Sequence, residues 1–233
     1  MGMSYLSHFV YNHEVRGLAA TPHFAMGVAL PDLWLRFSRQ RRLRWRAVRT
    51  AEPTDTVAAS LRAGLLNHVE VDRSFHVLPT FLLWQQALKV SVNGTDVHPA
   101  LVDFVTHVAI ELVMDHHLVR AAPARVEQFY DLLAGCDPGI VAQRVAVLGA
   151  VKTHGLEDVV RRFVERRFLR HYRAWEGLAD VVRILLALAD MPTVPEAVLE
   201  RVFTRAVRLV RPGAIWGALA EPGAVPAMGV KVR

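Results

Sequence analysis

Two segments of this 233-residue chain repeat ionisable side chains every four positions inside otherwise apolar sequence: His68-x3-Asp72-x3-His76 and His107-x3-Glu111-x3-Asp115. On a helix, residues four apart share a face with Cβ atoms roughly 5–6 Å apart, so members of a triplet can converge on one ion or on two adjacent ions. Around the second triplet the sequence VTHVAIELVMDHHLV surrounds the carboxylates with Val105, Val108, Ile110, Leu112, Val113 and Leu118. Those apolar residues predict burial, and a buried carboxylate without a partner is costly. Metal coordination offsets that cost, and an imidazole and carboxylate set suits manganese, iron or zinc better than calcium or copper(I). A single His–carboxylate pair at this spacing is ordinarily a hydrogen bond along one helix. Two triplets with His116 adjoining the second favour ligation, because six buried ionisable groups would otherwise need an extended network. His98 and His117 are expected to be supporting or exposed.

The elements that must position these residues are helices. Apolar residues recur at helical spacing almost throughout, with no alternating run long enough for a sheet, so the expected fold is all-α. Helices are predicted near 22–37, 54–76, 79–91, 97–119, 122–134, 138–151, 155–174, 176–190 and 195–210. Short turns such as Asn93-Gly94 and Asp137-Pro138-Gly139 separate them. Pro99, Pro123, Pro138 and Pro195 fall near helix starts, where a missing N–H costs little. Residues 1–211 are expected to form one compact helical domain, and 212–233 an irregular tail, since Gly213, Gly217, Pro222, Gly223, Pro226 and Gly229 disfavour a helix.

Composition narrows the function classes. Hydrophobic residues make up 52% and charged residues 21%, which excludes global disorder and provides for a sizeable core. No stretch reaches the roughly 20 apolar residues of a membrane span. The N-terminus lacks the pattern of a secretory signal, so a cytoplasmic protein is expected. Cys136 is the single cysteine, which excludes an intrachain disulfide and any multi-cysteine zinc or iron–sulfur site. Its AGCDPG setting reads as a turn with an incidental thiol. No G-x-S-x-G and no phosphate-cradling glycine loop is present.

The net charge of +6 comes largely from arginine. Arg36, Arg39, Arg41, Arg42, Arg44, Arg46 and Arg49 form one run without an acid. Arg161, Arg162, Arg166, Arg167, Arg170 and Arg173 form another, interleaved with Phe163, Phe168, Tyr172 and Trp175. Neighbouring Phe163, Arg166, Arg167 and Arg170 are expected to break up any clean apolar stripe. Such faces attract an acidic partner, a nucleic-acid backbone or an anionic membrane, or are simply solvated; no nucleic-acid-binding motif accompanies them.

Four blocks within residues 3–120 resemble the bacterial acyl carrier protein phosphodiesterases, of the broad HD-type group of metal-dependent phosphohydrolases. MSYLSHF carries His8, and FAMGVALPDLW ends in the acidic Asp32. GLLNHVEVDRSFHVLPTF places His68, Asp72 and Pro79 on the family pattern G-I-x-x-H-R-x-I-D-x-x-T-D-x-x-P, and ELVMDHHL matches Asp115, His116 and Leu118 to D-x-x-x-D-H-x-L. Val69 replaces the family's arginine, His76 its second aspartate, and Glu111 an aspartate. The arginine's loss removes a phosphate contact. The resemblance implies an HD-like helical domain holding one or two divalent ions, manganese first and iron or zinc next, through His8, Asp32, His68, Asp72, His107, Glu111, Asp115 and His116. It implies hydrolysis of a phosphopantetheine-type or other phosphodiester by a metal-activated water. His68, Asp72 and Asp115 lead the ligand set, His116 serves as ligand or acid/base, His76 lies near the leaving group, and Arg73 grips a phosphate. Two alternatives stand beside it: a non-catalytic metal-containing protein that docks an acidic partner through its arginines, and a zinc-dependent phospholipase C-like enzyme, whose group GVALPDL and the histidine-rich helices also resemble. Lipid hydrolysis would call for an apolar groove at the site and for zinc.

Overall fold

The computed structural model describes residues 5–38, 40–92, 95 and 97–220. Among them every regular element is helical, as the apolar period implies, and they form one compact domain. The helices are α1 Tyr5–Val10, α2 Pro22–Phe37, α3 Trp45–Thr50, α4 Thr56–His76, α5 Pro79–Lys89, α6 Pro99–Ala121, α7 Pro123–Ala134, α8 Pro138–Leu148, α9 Leu156–Arg166, α10 Trp175–Leu188, α11 Glu196–Leu209 and α12 Pro212–Ala220. A π-turn, Tyr11–Val15, follows α1, and a 3-10 turn, Phe168–Arg173, follows α9.

The helix α6 is the axis. It is buried nearly all round from Val105 to Val119 and packs against α1, α5, α7, α10, α11 and the 3-10 turn, as a helix apolar on every face must. α4 begins at Asp55, whose carboxylate accepts from the Ala58 N–H at 2.7 Å, and its buried stripe runs Leu61, Leu65, His68, Val71 and Phe75. His68 therefore lies in a core position by periodicity alone. The most intimate packing joins α2 to α4 through Gly27 and Gly64. A Cβ on Gly27 would collide with the Leu61 carbonyl, and one on Gly64 with the Phe24 carbonyl.

Three expectations are corrected. The helix expected over 155–174 ends at Arg166, because Arg167 takes a left-handed conformation (φ 45°) and the chain turns into the 3-10 segment. Before that break Leu156, Val160 and Phe163 make a clean buried stripe, and Arg167 and Arg170 turn away to bond Glu127 and Asp131. The tail expected to be irregular from 212 is a helix as far as Ala220. Ile215 and Leu219, four apart, are buried beneath it, and Tyr11 O–H donates to the Leu219 carbonyl at 3.1 Å. The short helices α1 and α3 had no counterpart among the expected elements. Asn93-Gly94 and residues 221–233 lie outside the described residues. Among the described residues no helix is long and apolar enough to cross a membrane.

Candidate metal centre

α1, α2 and α4 bring His8, Asp32 and His68 together, with ligand atoms all within 4.8 Å of one another. The close α2–α4 approach lets His68 Nδ1–H donate to the Val28 carbonyl at 2.9 Å. That bond fixes the tautomer and leaves the Nε2 lone pair 3.9 Å from Asp32 Oδ1, the arrangement a metal-ligating imidazole requires. The His8 ring stacks on His68 with centroids 4.5 Å apart. His8 is 1% exposed, and neither of its ring nitrogens has a hydrogen-bond partner. Burial pushes the His8 pKa well below its ordinary value, helped by His68 and His76, and burial lowers that of His68 to about 4. Both rings are thus neutral, the form that binds a metal.

A second group joins the end of α4 to α6. Glu111 Oε1 accepts from His76 Nε2 at 3.0 Å and from His107 Nε2 at 2.9 Å. Phe81 from α5 closes over both imidazoles, with ring centroids 5.2 and 5.1 Å away. Burial alone would raise the Glu111 pKa, but the hydrogen bonds from His107 and His76 outweigh it and hold the carboxyl below its usual value.

The two groups are neighbours. Asp72, on the same helix, has Oδ2 3.7 Å from His76 Nδ1, and it lines, with Asp32 and His68, a cleft of about 1060 Å³. Trp34, Leu35, Trp45, Phe104, Leu185 and Leu188 supply apolar wall, while Arg42 and Asp190 are among its polar lining. Asp32 and Glu111 also share a cavity of about 50 Å³ with Tyr5, Arg36 and Tyr172.

The structure thus divides the expected ligand set. His8, Asp32 and His68 meet in one group and His76, His107 and Glu111 in the other, with Asp72 beside both. Asp115 belongs to neither group. It is fully buried and accepts from the Leu6 N–H at 3.1 Å, the Ser7 N–H at 2.7 Å and the Ser7 hydroxyl at 2.6 Å, satisfying buried first-turn amides of α1 that have no acceptor within the helix. His116 is also outside both groups, donating from Nδ1 to the Tyr172 carbonyl at 2.6 Å. Arg73 is exposed and interacts electrostatically with Glu70. Two contributors escaped the sequence reading. Arg42 was one of seven arginines in a basic run, and the cleft walls from α6 and α10 carried no local signal.

The residues fit a divalent ion. A buried imidazole with two orphaned nitrogens costs about 1–3 kcal/mol for each unsatisfied group, and a nitrogen and oxygen set without sulfur matches zinc, manganese or iron(II). No protein-family model, no curated protein and no solved structure matches the chain.

Proposed function

We propose that this protein is a metal-dependent phosphodiester hydrolase. The observation that carries the proposal is the pairing of two histidine and carboxylate groups, with Asp72 beside them, and a large cleft into which Asp32, His68 and Asp72 open. A purely structural site would be enclosed by protein ligands, whereas a hydrolytic one needs an open side. Bound there, divalent ions such as zinc or manganese supply Lewis acidity and lower the pKa of water. His8, Asp32 and His68 would hold one ion, and His76, His107 and Glu111 a second. Arg42 offers a guanidinium to a phosphoryl oxygen. With Nε2 turned to an ion, His76 would keep Nδ1 toward Asp72, which would orient the ring at the cleft edge. The apolar side chains that line the cleft favour a substrate whose phosphodiester carries an apolar body, which supports the phospholipase-like reading over the polar phosphopantetheine arm.

Methyl and hexyl p-nitrophenyl phosphodiesters test the proposal on chelator-treated protein reloaded with zinc or manganese. Turnover is expected only after reloading, with a higher kcat/KM for the hexyl ester and a loss of at least about 100-fold in kcat for Asp72→Asn. Reloaded protein that turns over neither ester, or turnover indifferent to chelation, contradicts it.

A further inference from the structure

The inner side of α5 is conventional: Phe81, Trp84 and Leu88 are buried. Its outer side is not. Leu82 is 51% exposed, Leu83 69% and Val90 54%, and Val77, just before the helix, is 67% exposed. Pro79, Leu82, Leu83, Gln86 and Val90 follow helical spacing along one face, with Val77 exposed just before it, so α5 presents an uncharged stripe to solvent. Its single charged residue, Lys89, is tied to Asp103. The other large exposed apolar residues of the described chain are scattered, which is ordinary for a protein surface. A contiguous row on one helix marks an interaction surface.

Exposed basic residues on the helices that adjoin α5 indicate what covers it. Arg73 is exposed and lies four residues before Val77, on the same face at the end of α4. α11 packs against α5 and carries exposed Arg201, Arg205 and Arg208 at positions i, i+4 and i+7, with no ion pair among the described residues. An apolar stripe with unpaired arginines on a helix packed beside it matches an anionic bilayer, with leucine and valine entering the headgroup boundary and arginine pairing with lipid phosphate.

We infer that the outer face of α5, with Val77, Arg73 and the arginines of α11, docks this protein on an anionic lipid surface. The inference builds on the preceding reading, in which the substrate has an apolar body. Position supports it: Phe81, the neighbour of Leu82, packs on His76 and His107, so the docking face is the outer side of one wall of the metal centre.

Co-sedimentation tests it, using the zinc-loaded full chain and vesicles of phosphatidylcholine alone or mixed with phosphatidylserine. Wild type is expected to bind the mixed vesicles. The double variant Leu82→Asp/Leu83→Asp should bind at least about tenfold less, and Arg201→Gln/Arg205→Gln/Arg208→Gln several-fold less with a weaker salt dependence. All five positions are at the surface, so unchanged thermal unfolding should show the fold intact. The Leu82/Leu83 variant should still hydrolyse the soluble methyl p-nitrophenyl ester at the wild-type rate, which separates docking from the site's chemistry. No binding to mixed vesicles, equal binding by the variants, or a wild-type dimer dispersed by the leucine substitutions would overturn the inference. Vesicle binding without ester hydrolysis would uphold docking and count against the hydrolase reading alone.

Discussion

His8 is the residue least compatible with a metal-free protein. Its ring is closed off from water, stacked on His68, and holds two nitrogens with nothing to bond. Replacing it with Phe removes two orphaned polar atoms while keeping a flat ring of similar size. Chelated His8→Phe is therefore expected to melt at or above the chelated wild type. Adding zinc should raise the melting temperature of wild type by more than that of the variant, which keeps only the His76, His107 and Glu111 group intact, because only a ligand that binds the folded state stabilises it. Differential scanning fluorimetry with and without zinc reads both arms. A second expectation concerns acid. His68 titrates near 6.5 in the unfolded chain and near 4 in the fold, where burial resists the charged form. Across that window the unfolded state binds a proton that the native state refuses, so stability falls as pH drops from about 6.5 toward 4 and is level above about 7.5. His8 shifts in the same direction. Urea midpoints of metal-free protein at pH 7.5, 6 and 5 should decline in that order, and a midpoint that rises on acidification contradicts the assignment. Much of this residue list was legible from type and spacing, since five of the seven clustered ligands recur four apart within the two triplets, while His8 and Asp32 entered through the family resemblance alone. What spacing could not show was the partition. Neighbours four apart on α4 divide between two groups because His68 faces α2 while His76, two turns on, faces α6.

At the scale of elements, the site depends on two contacts that hold no ion. Asp115 of α6 binds the first amides of α1 and so sets the helix that carries His8. Asp115→Ala is expected to cost about 2–3 kcal/mol in urea unfolding and to weaken zinc binding, with Asp115→Asn recovering part of both because one oxygen still accepts. An unaltered zinc affinity in a folded Asp115→Ala protein would show that α1 is held by other means. Gly64 keeps α4 against α2, which is the contact that lets His68 reach the Val28 carbonyl. Gly64→Ala should destabilise the protein by about 1–3 kcal/mol through overpacking and lower metal affinity at the same time, measured by zinc titration. The helices themselves were readable, with α2 found at its observed limits and most others near theirs, because long apolar periods survive any tertiary context. The failures have physical causes. α1 and α3 are six residues each and owe their shape to neighbours, α9 stops where Arg167 finds Glu127 and Asp131, and α12 forms despite two glycines because Ile215 and Leu219 gain burial against α4 and α5.

For the whole molecule, one long buried helix organises the rest, and the two ligand groups form where α1, α2 and α4 close around it. Charge is distributed with similar economy. The second arginine segment, read from sequence as an open basic face, spends Arg167 and Arg170 on Glu127 and Asp131, and burial of Phe163, Leu169 and Tyr172 turns its apolar residues inward. From the first segment Arg42 reaches the cleft and Arg36 stacks on Phe168 at 4.8 Å. Sequence alone could not separate these fates, because each depends on a partner far along the chain. The central claim is that the two groups are two ion sites, and elemental analysis of purified protein after zinc loading and desalting tests it most directly. Wild type should retain about two ions per chain, and Asp32→Asn and Glu111→Gln should each retain about one. A folded wild type that retains no zinc, manganese or iron would contradict the account, and so would variants that both keep the full complement.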